Sequence, residues 1–105
     1  MMCLLTERWI RPGTFDAFRA AWEPEEQPDS LIRAYHLVDP DDRDHVISFG
    51  LFDLTSDGFA ELARSPELQE MQRARFAAMS EFVARTGVDG AFEVADVVEG
   101  PSAGG

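Results

Sequence analysis

Apolar and polar positions divide the chain into strand-like and helix-like stretches. Residues 2–10 are apolar, aromatic or β-branched on both alternating sets. Cys3, Leu5 and Trp9 fall on one set, Leu4, Thr6 and Ile10 on the other, and Arg11-Pro12-Gly13 closes the stretch. Thr14 suits a helix cap, with Asp16 in the positively polarised first turn. Phe15, Phe18 and Trp22 then recur at i, i+3 and i+7 on one apolar face. Glu23-Pro24 ends that helix, because the residue before proline avoids helical geometry. An acidic loop with Glu25, Glu26 and Asp29 runs on to Ser30.

Residues 31–38 predict a second strand, with Leu31, Arg33, Tyr35 and Leu37 alternating against Ile32, Ala34, His36 and Val38. The run from Asp39 to Asp44 is a turn by composition, so residues 45–54 return antiparallel as a third strand, apolar on both faces. Ser56 or Asp57 is expected to cap a short helix over residues 59–64. Ser65-Pro66-Glu67 then starts a longer one: capping serine, proline at the first helical position, acid in the first turn. Its periodicity places Leu68, Met71, Met79, Phe82 and Val83 on one face and carries the helix to Arg85-Thr86, with Gly87 as the stop. Residues 90–99 predict a fourth strand, and residues 100–105 a flexible tail.

The order β-α-β-β-α-β is the ferredoxin-like α+β arrangement, a four-stranded antiparallel sheet with the first and third strands in the middle. Residues 1–99 form one such domain. Arg33, Glu93 and Asp96 fall on the predicted edge strands, where solvent reaches them. Helices of one chain cover only one face of the sheet, yet the central strands are apolar on both. An uncovered apolar face marks an interface, and packing it on the same face of a second copy gives a two-fold homodimer.

Composition narrows the partners. A chain of 105 residues is one domain's length, and 45% hydrophobic residues with eight Phe and two Trp supply a core. Nine Arg, no Lys and twenty acids give a net charge of −11, which repels nucleic acid and anionic membranes. The single cysteine, Cys3, excludes a disulfide framework and a Cys-rich zinc site. With no signal-like or membrane-spanning run, the expectation is a soluble, cytoplasmic protein.

Few residues carry candidate chemistry. Arg75 lies about 20° from Leu68 on a helical wheel, inside the apolar stripe, and Gln72 about 40° the other way. Facing the sheet, they would orient a carbonyl, phenolate or carboxylate; alternatively, Arg75 buries its stem and reaches out to solvent. His36, mid-strand, could take a proton from a phenolic substrate or bind a metal, or else be a hydrogen-bonded residue at a dimer interface or pocket wall. His45, opening a strand after a turn, reads as facing solvent. Trp9, Trp22, Tyr35, Phe49, Phe52 and Phe59 could line a pocket for a flat ligand or fill a core. The Asp39–Asp44 run lacks the central glycine and terminal glutamate of a calcium loop. No phosphate loop, nucleophile elbow or HExxH occurs, and no metal site is expected.

The run Arg8-Trp9-Ile10-Arg11-Pro12-Gly13-Thr14 resembles the start of the antibiotic biosynthesis monooxygenase-like family. So do Val46-Ile47-Ser48-Phe49-Gly50-Leu51-Phe52-Asp53, the following Ser56-Asp57-Gly58-Phe59, and Ser65-Pro66. The resemblance spans residues 2–99. It implies a dimeric α+β barrel with a small-molecule pocket between sheet and helices. Some members oxidise aromatic polyketides without a cofactor; others degrade haem. The haem-degrading pattern of Asn, Trp and ligating His meets Thr6 or Glu7, Leu62 and Gln72 here, and an amide is no substitute for an imidazole ligand. The resemblance therefore implies a cofactor-independent monooxygenase of small aromatic or polyketide-like molecules. Arg75 would stabilise developing negative charge and His36 act as base, with Thr6, Trp9, Tyr35, Phe52, Phe59, Gln72 and Met79 around the substrate. The other reading is a ligand-binding dimer of the same fold without catalysis.

Overall fold

In the computed structural model, which describes residues 1–23 and 28–102, the elements follow the order β-α-β-β-α-α-β. They are β1 (Met2–Ile10), α1 (Phe15–Trp22), β2 (Leu31–Asp39), β3 (Asp42–Phe52), α2 (Ser56–Ala63), α3 (Pro66–Met79) and β4 (Val83–Glu93). The strands form one antiparallel sheet in the order β2-β3-β1-β4, so the most apolar strands, β1 and β3, are central. This is the ferredoxin-like α+β fold. Glu25 and Glu26 lie outside the described residues.

Local chemistry explains the joints. Gly13 turns the chain after β1 at φ 76°, a conformation glycine adopts without strain. Thr14 does not cap α1 with its side chain; its hydroxyl donates to the Arg11 carbonyl at 2.6 Å. Pro40 and Asp41 alone join β2 to β3, and the Asp41 N–H donates to the Asp39 carboxylate. The expected six-residue turn is therefore shorter, because ladder bonds extend along both flanks. Thr55, rather than Ser56 or Asp57, caps α2 by accepting the Gly58 N–H at 3.1 Å. Ser65 caps α3 with Pro66 inside the first turn, as its sequence predicts.

The largest departure lies at the end of α3. The helix stops at Met79 instead of running to Arg85, and β4 spans Val83–Glu93 instead of residues 90–99. Helical spacing of Phe82 and Val83 continues the stripe, but tertiary pairing overrides it. The Arg11 N–H donates to the Phe82 carbonyl at 2.8 Å, and Ile10 then pairs with Val83. β4 follows β1 to its beginning, where Met2 pairs with Glu93 and Val94 donates to the Met1 carbonyl. Beyond that point β1 offers no partner, and Val97 and Val98 lie exposed outside any strand.

Alternation gives the sheet two distinct faces. Met2, Leu4, Thr6, Arg8 and Ile10 of β1 turn toward the helices, beside Val46, Ser48, Gly50 and Phe52 of β3. The core closes one end of that face, where Ile10, Phe18, Val46 and Met79 are buried with Phe15, Trp22, Phe82 and Val83 packed around them. The opposite face carries Cys3, Leu5, Trp9, Ile47, Phe49 and Leu51 between the edge residues Tyr35, Leu37 and Phe92. Leu37 and Phe92 remain 46% and 49% exposed there, so the chain leaves this face open. Among the described residues, no helix is long and apolar enough to cross a membrane.

Candidate functional site

Away from that core, the helix layer does not close on the sheet. Two small adjoining chambers, of about 50 and 40 Å³, lie between β1, β3 and the helices. Leu4, Trp22, Gln72 and Arg75 border both chambers. One chamber is apolar, walled by Leu31, Phe52, Phe59, Leu62, Leu68 and Met71. The Phe52 and Phe59 rings meet edge to face at 5.6 Å. Gly50 keeps this wall low, since a Cβ there would sit 3.3 Å from Leu31 and from the Phe52 ring.

The other chamber holds the polar groups: Thr6, Arg8, Arg75 and Asp89, with Phe76 and Met79 beside them. β1 turns Arg8 inward, where it is only 3% exposed. Its Nη1 donates to Thr6 Oγ1 at 3.0 Å, and its guanidinium lies 5.6 Å from the centre of the Phe76 ring. α3 presents Arg75 from the opposite wall, 5.3 Å from the Trp22 ring centre. The Arg75 Nε is buried and has no hydrogen-bond partner among the described residues. Burial lowers the proton affinity of both guanidiniums. Arg8 adds repulsion at Arg75, while Asp89 opposes the effect at Arg8. Both remain cations at neutral pH. Among the described residues the chamber thus presents two guanidiniums and one carboxylate, inside a protein of net charge −11.

Thr6, Phe52, Phe59, Gln72, Arg75 and Met79 line the cavity, six of the nine residues singled out in the sequence. Three do not. His36 reaches toward α1: its Nδ1 is 2.7 Å from Ser48 Oγ, and its ring meets Trp22 and Phe15 edge on. Burial pushes its pKa down, favouring the neutral ring. His36 stands behind the Trp22 wall and is not among the residues lining the two chambers. Trp9 and Tyr35 lie on the open face, stacked on His45 and Phe49 respectively. Their odd positions in the β1 and β2 pairings carry them through the sheet.

Arg8 and Asp89 enter the site without having been singled out. The signal for Arg8 was parity: it continues the set Leu4, Thr6, Ile10 along β1. Asp89 gave none, because its place follows from pairing with Thr6, and that register depends on where β4 begins. His45 departs from its solvent-facing expectation too. It stacks on Trp9 at 4.4 Å, with Nε2 2.8 Å from Glu7 and Nδ1 3.3 Å from Asp39. No group of three or more His, Cys, Asp or Glu side chains among the described residues could hold a metal ion.

A ferredoxin-like sheet with a cavity under its helices defines the structural class. Solved structures of the same fold include a protein from Chloroflexus aurantiacus, provisionally named antibiotic biosynthesis monooxygenase. It superposes at a TM-score of 0.66 and 16% identity, covering 93% of this chain and 96% of that one. A Nitrosomonas europaea protein with the same provisional name gives 0.64 and 12%, covering 91% of this chain and 100% of that one. Rv0793 from Mycobacterium tuberculosis gives 0.61 and 15%, covering 93% and 98%. No family profile matches the sequence, and no curated protein matches it. At these identities the likeness is one of fold, and the site must argue for the chemistry.

Proposed function

We propose that this chain is an antibiotic biosynthesis monooxygenase-like protein that oxidises a small aromatic or polyketide-like substrate with molecular oxygen and no cofactor. The observation that carries the reading is that Arg8 and Arg75 both line the polar chamber, which adjoins an apolar one. Phe52, Phe59, Leu62 and Met71 offer an apolar wall to a ring system, and the guanidiniums favour an oxygen that becomes anionic. An ionised phenol or enol is electron-rich enough to react with oxygen directly. For an anthrone-like methylene, one oxygen atom ends in the new carbonyl and the other leaves as water with the two hydrogens. Asp89, the one carboxylate lining the chamber among the described residues, serves as proton acceptor, and Gln72 orients the substrate by hydrogen bonding. Gln72 faces the cavity but offers no strong iron ligand, which speaks against haem as substrate.

The reading includes a homodimer joined through the open sheet face, where Leu37, Phe49, Leu51 and Phe92 supply apolar surface. An oxygen electrode tests the activity, using a panel of anthrone and hydroquinone substrates. The expected result is uptake with at least one, and a loss of about 100-fold in kcat/KM for Arg75→Gln, the usual scale for removing an oxyanion-stabilising donor. No uptake with any member would contradict the enzymatic reading. The second reading, ligand binding without turnover, is favoured by His36 standing outside the cavity. Tight binding with no oxygen uptake would establish it.

A further inference from the structure

We propose that the ligand of this cavity carries a carboxylate, held between Arg8 of β1 and Arg75 of α3, with its apolar body in the chamber walled by Phe52, Phe59 and Leu62. The proposal rests on the cavity being the functional site but not on the reaction performed there. Among the described residues, two guanidiniums and one carboxylate line the polar chamber, leaving one positive charge unbalanced among them at a place from which water is partly excluded. Arg8 is almost fully buried, and the described structure gives it a neutral partner, the Thr6 hydroxyl, in place of a salt bridge. The Arg75 Nε is a buried donor with no partner among the described residues. Leaving such a donor unsatisfied is costly, so it points to a bound acceptor.

The arrangement selects a carboxylate over a phenolate. The cations approach from opposite layers, one from the sheet and one from a helix. A carboxylate has two oxygens and about four acceptor positions, so each oxygen can serve one guanidinium. A phenolate offers one oxygen, and a phenol must first lose its proton, whereas a carboxylate is already ionised at neutral pH. Asp89 sets the opposing charge that tunes the affinity.

Equilibrium dialysis at pH 7 with 2-naphthoate and its uncharged isostere 2-naphthamide tests the proposal on the unaltered protein. The expected result is tighter binding of naphthoate by about tenfold or more, as for hydrogen bonds to charged groups. Arg8→Gln and Arg75→Gln should each remove most of that preference for naphthoate over naphthamide. Asp89→Asn should tighten naphthoate and not naphthamide. Equal binding of the two compounds by the unaltered protein, or binding of neither, overturns the proposal, and this comparison needs no variant to fold. Failure here with oxygen uptake by hydroquinones overturns the carboxylate alone. Naphthoate preference without uptake by any substrate overturns the monooxygenase alone.

Discussion

His45 is held by Glu7 at 2.8 Å, by Asp39 at 3.3 Å and by the Trp9 ring stacked parallel to its own. The Glu7 hydrogen bond contributes most to raising the His45 pKa above its ordinary value, and Asp39 adds to it. Glu7 and Asp39 are in turn held below the ordinary carboxylate range, Glu7 mainly by His45 and Asp39 mainly by the Asp41 backbone N–H. A histidine with a raised folded pKa stabilises fully below about 6.5, its unfolded value, and ceases to do so as pH rises through the folded value. The lowered carboxylates work oppositely, stabilising above their unfolded values and failing as pH falls through their folded ones. His36, lowered by burial, stabilises above about 6.5 and is present equally in a His45 variant. The melting temperature of the wild type minus that of His45→Gln should therefore be largest near pH 6 and shrink toward alkaline pH. A difference that stays constant across that range would show that the cluster does not titrate with folding. Little of this cluster is legible in the sequence, because His45 and Glu7 are 38 positions apart and meet only through the β1–β3 register. Arg75 is legible, since helical spacing alone turns it inward; Arg8 is legible only once strand parity is applied to a charged residue.

Capping and pairing decide the elements. Thr55 Oγ1 satisfies the Gly58 N–H at the start of α2, whereas no such bond forms from Ser56. Thr55→Ala should cost about 1 kcal/mol of stability, the usual value of a lost cap, and Ser56→Ala less than about 0.5 kcal/mol. Chemical denaturation followed by circular dichroism measures both, and a reversed order would return the cap to Ser56. Strand order, the two-part helical segment and the Ser65-Pro66 start are all readable from periodicity and capping residues. The α3–β4 boundary is not. Phe82 and Val83 satisfy both a helical stripe and a strand, and only the pull of Arg11 and Ile10 on the far end of β1 decides between them. That boundary also moves Asp89 into the polar chamber opposite Thr6, so an error of one element boundary conceals a site residue.

For the whole molecule, the two faces of the sheet differ in what they carry. Arg8 and Ser48 point to the helix side, and Phe49 and Leu51 to the open side, although all four belong to the two central strands. The helix side encloses the cavity with its two guanidiniums. The open side exposes a broad apolar surface that a monomer rarely leaves in water. Two copies related by a two-fold axis would bury that surface on each other, at roughly 800 Å² per subunit if the interface is of standard size. Phe49→Asp places a charge in the middle of the open face, while the cavity lies on the other side of the sheet. Sedimentation equilibrium at low micromolar concentration tests this division most directly. The account predicts a wild-type mass of twice 11.7 kDa and a folded Phe49→Asp protein shifted toward the single-chain mass. A wild-type protein that sediments as a folded 11.7 kDa monomer would contradict it.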